Sequence, residues 1–213
     1  YSEQELKALG DVLRPYPNIL IATDDMYEHT LWQKGTFVNI LNANPDFYDR
    51  TIVLNGVSKS YSMTGWRIGY AAGPRELIQA MGIVQSQSTS NPTSISQVAA
   101  EAGLNGDQSF ITDMIREFKK RHDFVVDALN AIDGIECLTT DGTFYVFPNV
   151  EKLLARLDGI DDDLAFAEFL IEKAVVALVP GSAFGCPGHI RISIATSMDN
   201  LQQALIRIKT AVQ

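Results

Sequence analysis

Cysteine and histidine are scarce in this 213-residue chain, with two and three copies. Cys137 and Cys186 stand far apart and make no Cys-x-x-Cys pair. That spacing speaks against a disulfide framework or a thiolate zinc site and predicts two free thiols in a reducing compartment. His29, His122 and His189 share no ligand-like spacing, so no metal is expected and they read as surface or supporting residues. Long apolar runs are missing too. Stretches such as Ala174-Val175-Val176-Ala177-Leu178-Val179 fall far short of a bilayer, which removes any expectation of a membrane role. Positive charge is in deficit, with 17 Lys and Arg against 26 Asp and Glu, a formal charge of -9. Such a surface repels phosphate backbones, and the one basic triplet, Lys119-Lys120-Arg121, reads as a solvated helix face, so nucleic acid is not an expected partner. Internal repeats, low-complexity segments and a secretory leader pattern are not found, and a cytoplasmic setting is the expectation.

What remains is ordinary for a globular protein: 46% hydrophobic and 20% charged residues, in a chain long enough for one or two cores. Ser2 followed by Glu5 predicts a capping box, with Leu6, Leu9 and Leu13 on one helical face until Pro15 and Pro17. Asn18 to Thr23 reads as a short, fully buried strand with Asp24 and Asp25 at its carboxyl end, where open α/β sheets place ligands. Thr51 to Leu54 repeats this arrangement. A third strand, Arg67 to Ala72, runs into Gly73-Pro74 and a helix through Leu77, Ile78 and Met81. After Asn105-Gly106 comes a long amphipathic helix, Ser109 to Ala131. Beyond it, strands at 135–138, 143–147, 176–179 and 190–194 alternate with helices at 164–174 and 199–212, an α+β layer. Asp161-Asp162-Asp163 suits a helix N-terminus better than a metal site. Met63 and Met81 read as core filler.

The most informative segment is Asn55-Gly56-Val57-Ser58-Lys59-Ser60-Tyr61-Ser62-Met63-Thr64-Gly65-Trp66-Arg67-Ile68-Gly69-Tyr70. A lysine just past a strand end, followed eight residues later by an arginine, has the look of a Schiff-base lysine with a phosphate-binding partner. An amine becomes nucleophilic near neutral pH only when partly desolvated, and a planar guanidinium fork suits phosphate. The alternative reading of each residue is a solvated surface charge.

This segment resembles the pyridoxal-phosphate lysine region of the class I aminotransferases, the aspartate aminotransferase family. Asp24-Asp25-Met26-Tyr27 resembles the family's Asp-x-x-Tyr motif. Val179-Pro180-Gly181-Ser182-Ala183-Phe184-Gly185 followed by His189-Ile190-Arg191-Ile192-Ser193 resembles its closing strand. The resemblance implies an α/β fold: the latter part of a fold-type I large domain over residues 1–108, mostly parallel sheet with helices on both faces, then a small α+β domain over 109–213. It implies pyridoxal 5'-phosphate as cofactor, carried by Lys59, with Asp24 beneath the ring nitrogen, Tyr27 at the phenolic oxygen and Arg67 at the phosphate. Arg191 would grip the substrate's α-carboxylate. It further implies amino acid and 2-oxo acid substrates and a homodimer.

Two departures stand out. Ser86 to Asn91 offers only small polar residues where some relatives present an arginine for a substrate side-chain carboxylate, so aspartate preference does not carry over from that segment. Gly56 stands where several relatives place a phosphate-binding serine. Family members are roughly twice this length, so the chain is expected to be a carboxyl-terminal portion, binding cofactor weakly or not at all by itself. A lyase or decarboxylase of the same fold, or a non-catalytic effector domain, would keep the same residues.

Overall fold

Local chemistry sets the first element. The Ser2 hydroxyl accepts from the Glu5 N–H and the Glu5 carboxylate accepts from the Ser2 N–H at 2.7 Å, closing the capping box on helix α1, Glu3–Leu13. The computed structural model describes residues 1–32 and 35–213, which divide into two units, Tyr1–Thr112 and Asp113–Gln213.

In the first unit a three-stranded sheet has the order β1 (Ile21–Asp24), β2 (Thr51–Gly56), β3 (Gly69–Ala72). β1 and β2 run parallel, with Asp24 opposite Leu54, and β3 returns antiparallel, with Tyr70 opposite Asn55. The short helix α2, Ile40–Ala43, packs with α1 through Leu6, Ile40, Ala43 and Phe47. Helices α3, Arg75–Ser88, and α4, Ser94–Asn105, follow β3.

Helix α5, Ser109–Asn130, leads into the second unit. There β4 (Tyr145–Val146), β6 (Ile190–Ser193) and β5 (Val179–Pro180) form an antiparallel sheet in that order. Helices α6, Glu151–Leu154, α7, Asp163–Phe169, and α8, Met198–Ala211, complete it, with a π-helical turn at Leu170–Ala174 after α7. Val125, Leu129, Val146, Phe166, Leu170, Ile190 and Ile208 are buried together in its core. At about 1.5–3 kcal/mol for each fully buried large side chain, this cluster is the unit's main source of stability.

Several expectations need correction. The stretch before β1 is not a buried strand, since Ile19 and Leu20 are 44% and 64% exposed. Among the described residues β1 has a ladder partner on one side only, so its faces alternate half-buried and exposed. The third strand begins at Gly69, not Arg67, because Arg67 takes a left-handed conformation (φ 57°) that cannot continue a ladder. The strand expected at 135–138 shrinks to a single bridge between Glu136 and Asn149. The 143–147 strand shortens behind a left-handed Thr143, and the 176–179 strand behind a left-handed Val175. Met81 is exposed rather than core filler, and His122 is buried, which leaves the supporting reading and removes the surface one.

Candidate active site

Because β1 and β2 are parallel, their carboxyl ends lie at the same edge of the sheet. The loop leaving β2 folds back on itself: the Val57 N–H donates to the Ile68 carbonyl at 3.4 Å, and the Met63 N–H to the Val57 carbonyl at 3.3 Å. Lys59 sits in the turn at the start of this loop, half-buried, with its carbonyl accepting from the Ser62 N–H. Ser62 adopts a left-handed φ of 54° to make that turn. The Lys59 ammonium lies 5.9 Å from the centre of the Tyr27 ring. The structure thus brings Lys59 and Tyr27 together from the ends of neighbouring strands.

Asp24 ends β1 and is exposed, its carboxylate accepting from the Met26 N–H at 3.2 Å. That local bond turns the chain so that Tyr27 follows within one turn. Arg67 belongs to the same β2–β3 loop as Lys59. Its side chain is exposed and donates to the Thr64 carbonyl at 2.9 Å. Gly56 precedes the loop under tight packing. A Cβ there would stand 2.9 Å from the Ile68 carbonyl oxygen and 3.0 Å from the Met26 methyl.

Beside one face of the sheet lies a polar cluster that the sequence did not disclose. Asp25 is 4% exposed and accepts from the Thr23 hydroxyl at 2.7 Å and the Asn39 amide at 2.5 Å. Glu28 accepts from the Asn55 amide at 2.6 Å. Asp25, Asn39, Glu28 and Asn55 line, together with Tyr70, a cavity of about 540 Å³. Burial, and then the Glu28 charge, push the Tyr61 and Tyr70 phenols above their ordinary pKa. Asp25 was legible only as the neighbour of Asp24, because its partner Asn39 is fourteen residues away.

Arg191 lies in β6 of the second unit, its guanidinium carbon 4.4 Å from the centres of both the Tyr145 and Phe184 rings. Both rings are within cation–π distance of the guanidinium. Neither ring was picked out from the sequence, since only folding brings them to Arg191. Among the described residues no group of three or more His, Cys, Asp or Glu side chains is placed to hold a metal ion, and no helix is long and apolar enough to cross a membrane.

Ionisable side chains at the carboxyl edge of a parallel strand pair, with an α+β unit following, mark an α/β protein, a class in which ligands gather at that edge. Comparison with known proteins makes this specific. The profile of the family "Aminotransferase class I and II" matches residues 1–208. The chain belongs to that family. It is 60% identical to the aspartate/prephenate aminotransferase of Nitrosomonas europaea over 98% of its own length and 54% of that protein's. It is 47% identical to an aspartate aminotransferase of Rhizobium meliloti, over 99% of this chain and 52% of that one. The crystal structure of the Rhizobium meliloti aspartate aminotransferase superposes with a TM-score of 0.94 at 47% identity, covering all of this chain and 54% of that one. The Pyrococcus horikoshii aromatic aminotransferase superposes with a TM-score of 0.88 at 30% identity, covering 99% and 55%. The α/β fold is therefore that of the solved aminotransferases, and the chain spans about half the length of the relatives it matches.

Proposed function

We propose that the protein carrying this sequence is a pyridoxal-phosphate-dependent aminotransferase, with residues 1–108 in its cofactor-binding large domain and 109–213 as its small domain. One observation carries the reading: within a chain that matches the family over residues 1–208, a half-buried lysine stands just past the carboxyl end of β2 with its ammonium 5.9 Å from the centre of the Tyr27 ring.

The residues present fit the cofactor by their chemistry. An amine, a phenol and a carboxylate come from adjacent strand ends, and a guanidinium comes from the same loop as the amine. These complement an aldehyde, a phenolic oxygen, a protonatable ring nitrogen and a phosphate. When bound, pyridoxal phosphate supplies an electron sink for the bond broken at the substrate's α-carbon. Lys59 would hold the cofactor through Nζ, and the same amine would carry the proton to and from the substrate's α-carbon. Asp24 would keep the proton on the ring nitrogen, and Tyr27 would donate its hydroxyl to the phenolic oxygen. Arg67 binds phosphate. A Cβ at Gly56 would stand 2.9 Å from the Ile68 carbonyl oxygen, which disfavours a serine there and leaves Arg67 as this loop's phosphate residue in our reading. Arg191, in contact with both rings, binds the substrate's α-carboxylate through its fork.

The relatives' names point to aspartate as amino donor and to prephenate or another 2-oxo acid as acceptor. Residues 86–91 bring no cation, so the group that grips the side-chain carboxylate of aspartate comes from elsewhere in the enzyme. A cytoplasmic homodimer completes the reading. Ile83, Val84, Ile95 and Val98 on α3 and α4 are 65–70% exposed, apolar side chains that the rest of the subunit or a second copy would cover. The chain by itself, at about half the relatives' length, is expected to bind cofactor weakly.

Product analysis tests the assignment. The holoenzyme given aspartate and 2-oxoglutarate should form glutamate and oxaloacetate in equal amounts. Ammonia or carbon dioxide instead would make it a lyase or decarboxylase, and no turnover with any amino acid would make it a non-catalytic relative.

A further inference from the structure

Asp163 is a carboxylate with 2% exposure at the start of α7, yet that helix is already capped by its neighbour, since Asp162 accepts from the Ala165 N–H at 2.7 Å. A second acid is not needed there for capping, and burying a carboxylate is costly unless it is well bonded. Asp163 spends its bonding on a distant loop. Its Oδ2 accepts from the Ser182 N–H at 2.7 Å and its Oδ1 from the Gly188 N–H at 3.4 Å. These two amides stand near the two ends of the segment between β5 and β6. Between them the chain is closed by the Gly185 N–H on the Ser182 carbonyl and the Cys186 N–H on the Gly181 carbonyl. At the tip stands Phe184, 4.4 Å from Arg191 and in edge contact with Phe147 at 6.1 Å. Phe184 is 49% exposed, so its own burial does little to fix it, and the loop must hold the ring in place.

We propose that Asp163 is a positioning residue for substrate binding: by tying both ends of the 182–188 loop it keeps the Phe184 ring against the Arg191 guanidinium, which then presents its fork to the substrate's carboxylate. The inference rests on the reading of Arg191 as the carboxylate-binding residue and adds the device that aims it. Cys186 reports on the same loop, because its thiol lies 3.4 Å from His189 Nδ1, while Cys137 is buried elsewhere.

The test uses the holoenzyme. Asp163→Asn keeps the shape but removes the charge and one acceptor. It is expected to raise KM for the amino acid and the 2-oxo acid alike, by about tenfold, with kcat within about twofold and the cofactor's absorbance unchanged. Alkylation of Cys186 by iodoacetamide, located by peptide mass spectrometry, is expected to quicken while Cys137 stays protected. Phe184→Leu removes a half-exposed ring without touching the anchor. It should reproduce the KM rise without the change at Cys186, and the double variant should be no worse than either alone. An unchanged KM in Phe184→Leu overturns the proposal even if Asp163→Asn fails to fold. So does an Asp163→Asn enzyme whose Cys186 reactivity and KM match the parent. Arg191→Lys separates the two layers. If its KM is normal, the reading of Arg191 fails, whatever Cys186 shows about the loop.

Discussion

Asp162 and Asp163 are adjacent acids with unlike duties. Asp162 does what a local rule predicts and caps α7. Asp163 bonds amides nineteen and twenty-five residues further on, which no local rule could disclose. Burial raises its carboxyl pKa, but the bonds from Ser182 and Gly188 outweigh that and hold it below the ordinary 3.8. A folded-state pKa lower than the unfolded one contributes stability that is complete above the unfolded value and disappears as pH falls through the folded one. The Tm difference between the parent and Asp163→Asn should therefore be constant from neutral pH down to about pH 5 and close below the ordinary carboxyl pKa. Thermal melts across that range check it, and a gap that persists undiminished at the acid end would contradict the lowered pKa. His122 teaches the same lesson about legibility. Its Nε2 accepts from the Thr140 N–H at 3.0 Å, which leaves the ring proton on Nδ1 facing Asp123. Nothing in a lone histidine on a helix foretells a partner eighteen residues away.

The elements that could be read in advance are those whose causes are local. The capping box of α1, the helix after Pro74 and the amphipathic α5 all appear close to where their residue patterns put them. The short strands were less legible. Single left-handed residues at Arg67, Thr143 and Val175 cut their ends, and pairing rather than propensity decides how far a strand extends. Of the candidate site, Lys59 and Arg67 stood out by their spacing after a strand end, while Asp24 and Tyr27 stood out by the resemblance of their segment to the family's Asp-x-x-Tyr motif. The rings flanking Arg191 did not, since Tyr145 and Phe184 come from separate elements. Gly56 shows how an element limits the chemistry beside it. A Cβ there would press on the Ile68 carbonyl at 2.9 Å and on Gly69 Cα at 3.2 Å, and backbone atoms do not yield as a side-chain tip does. Gly56→Ser should therefore destabilise the protein by about 1–3 kcal/mol rather than add a phosphate contact, as denaturant titration and cofactor affinity together would show. A tighter-binding, equally stable variant would contradict this.

For the whole molecule, two units each carry part of the proposed chemistry: the cofactor residues stand in the first and Arg191 in the second. A net charge of -9 makes the local cations at Lys59, Arg67 and Arg191 the natural points of attraction for an anionic cofactor and anionic substrates. All of this depends on Lys59 being the residue that carries the cofactor. Borohydride reduction of the holoenzyme fixes the cofactor to its lysine irreversibly, and peptide mass spectrometry then reads its position. The account predicts the pyridoxyl group on Lys59, while a pyridoxyl group on any other lysine, or none at all, would contradict it.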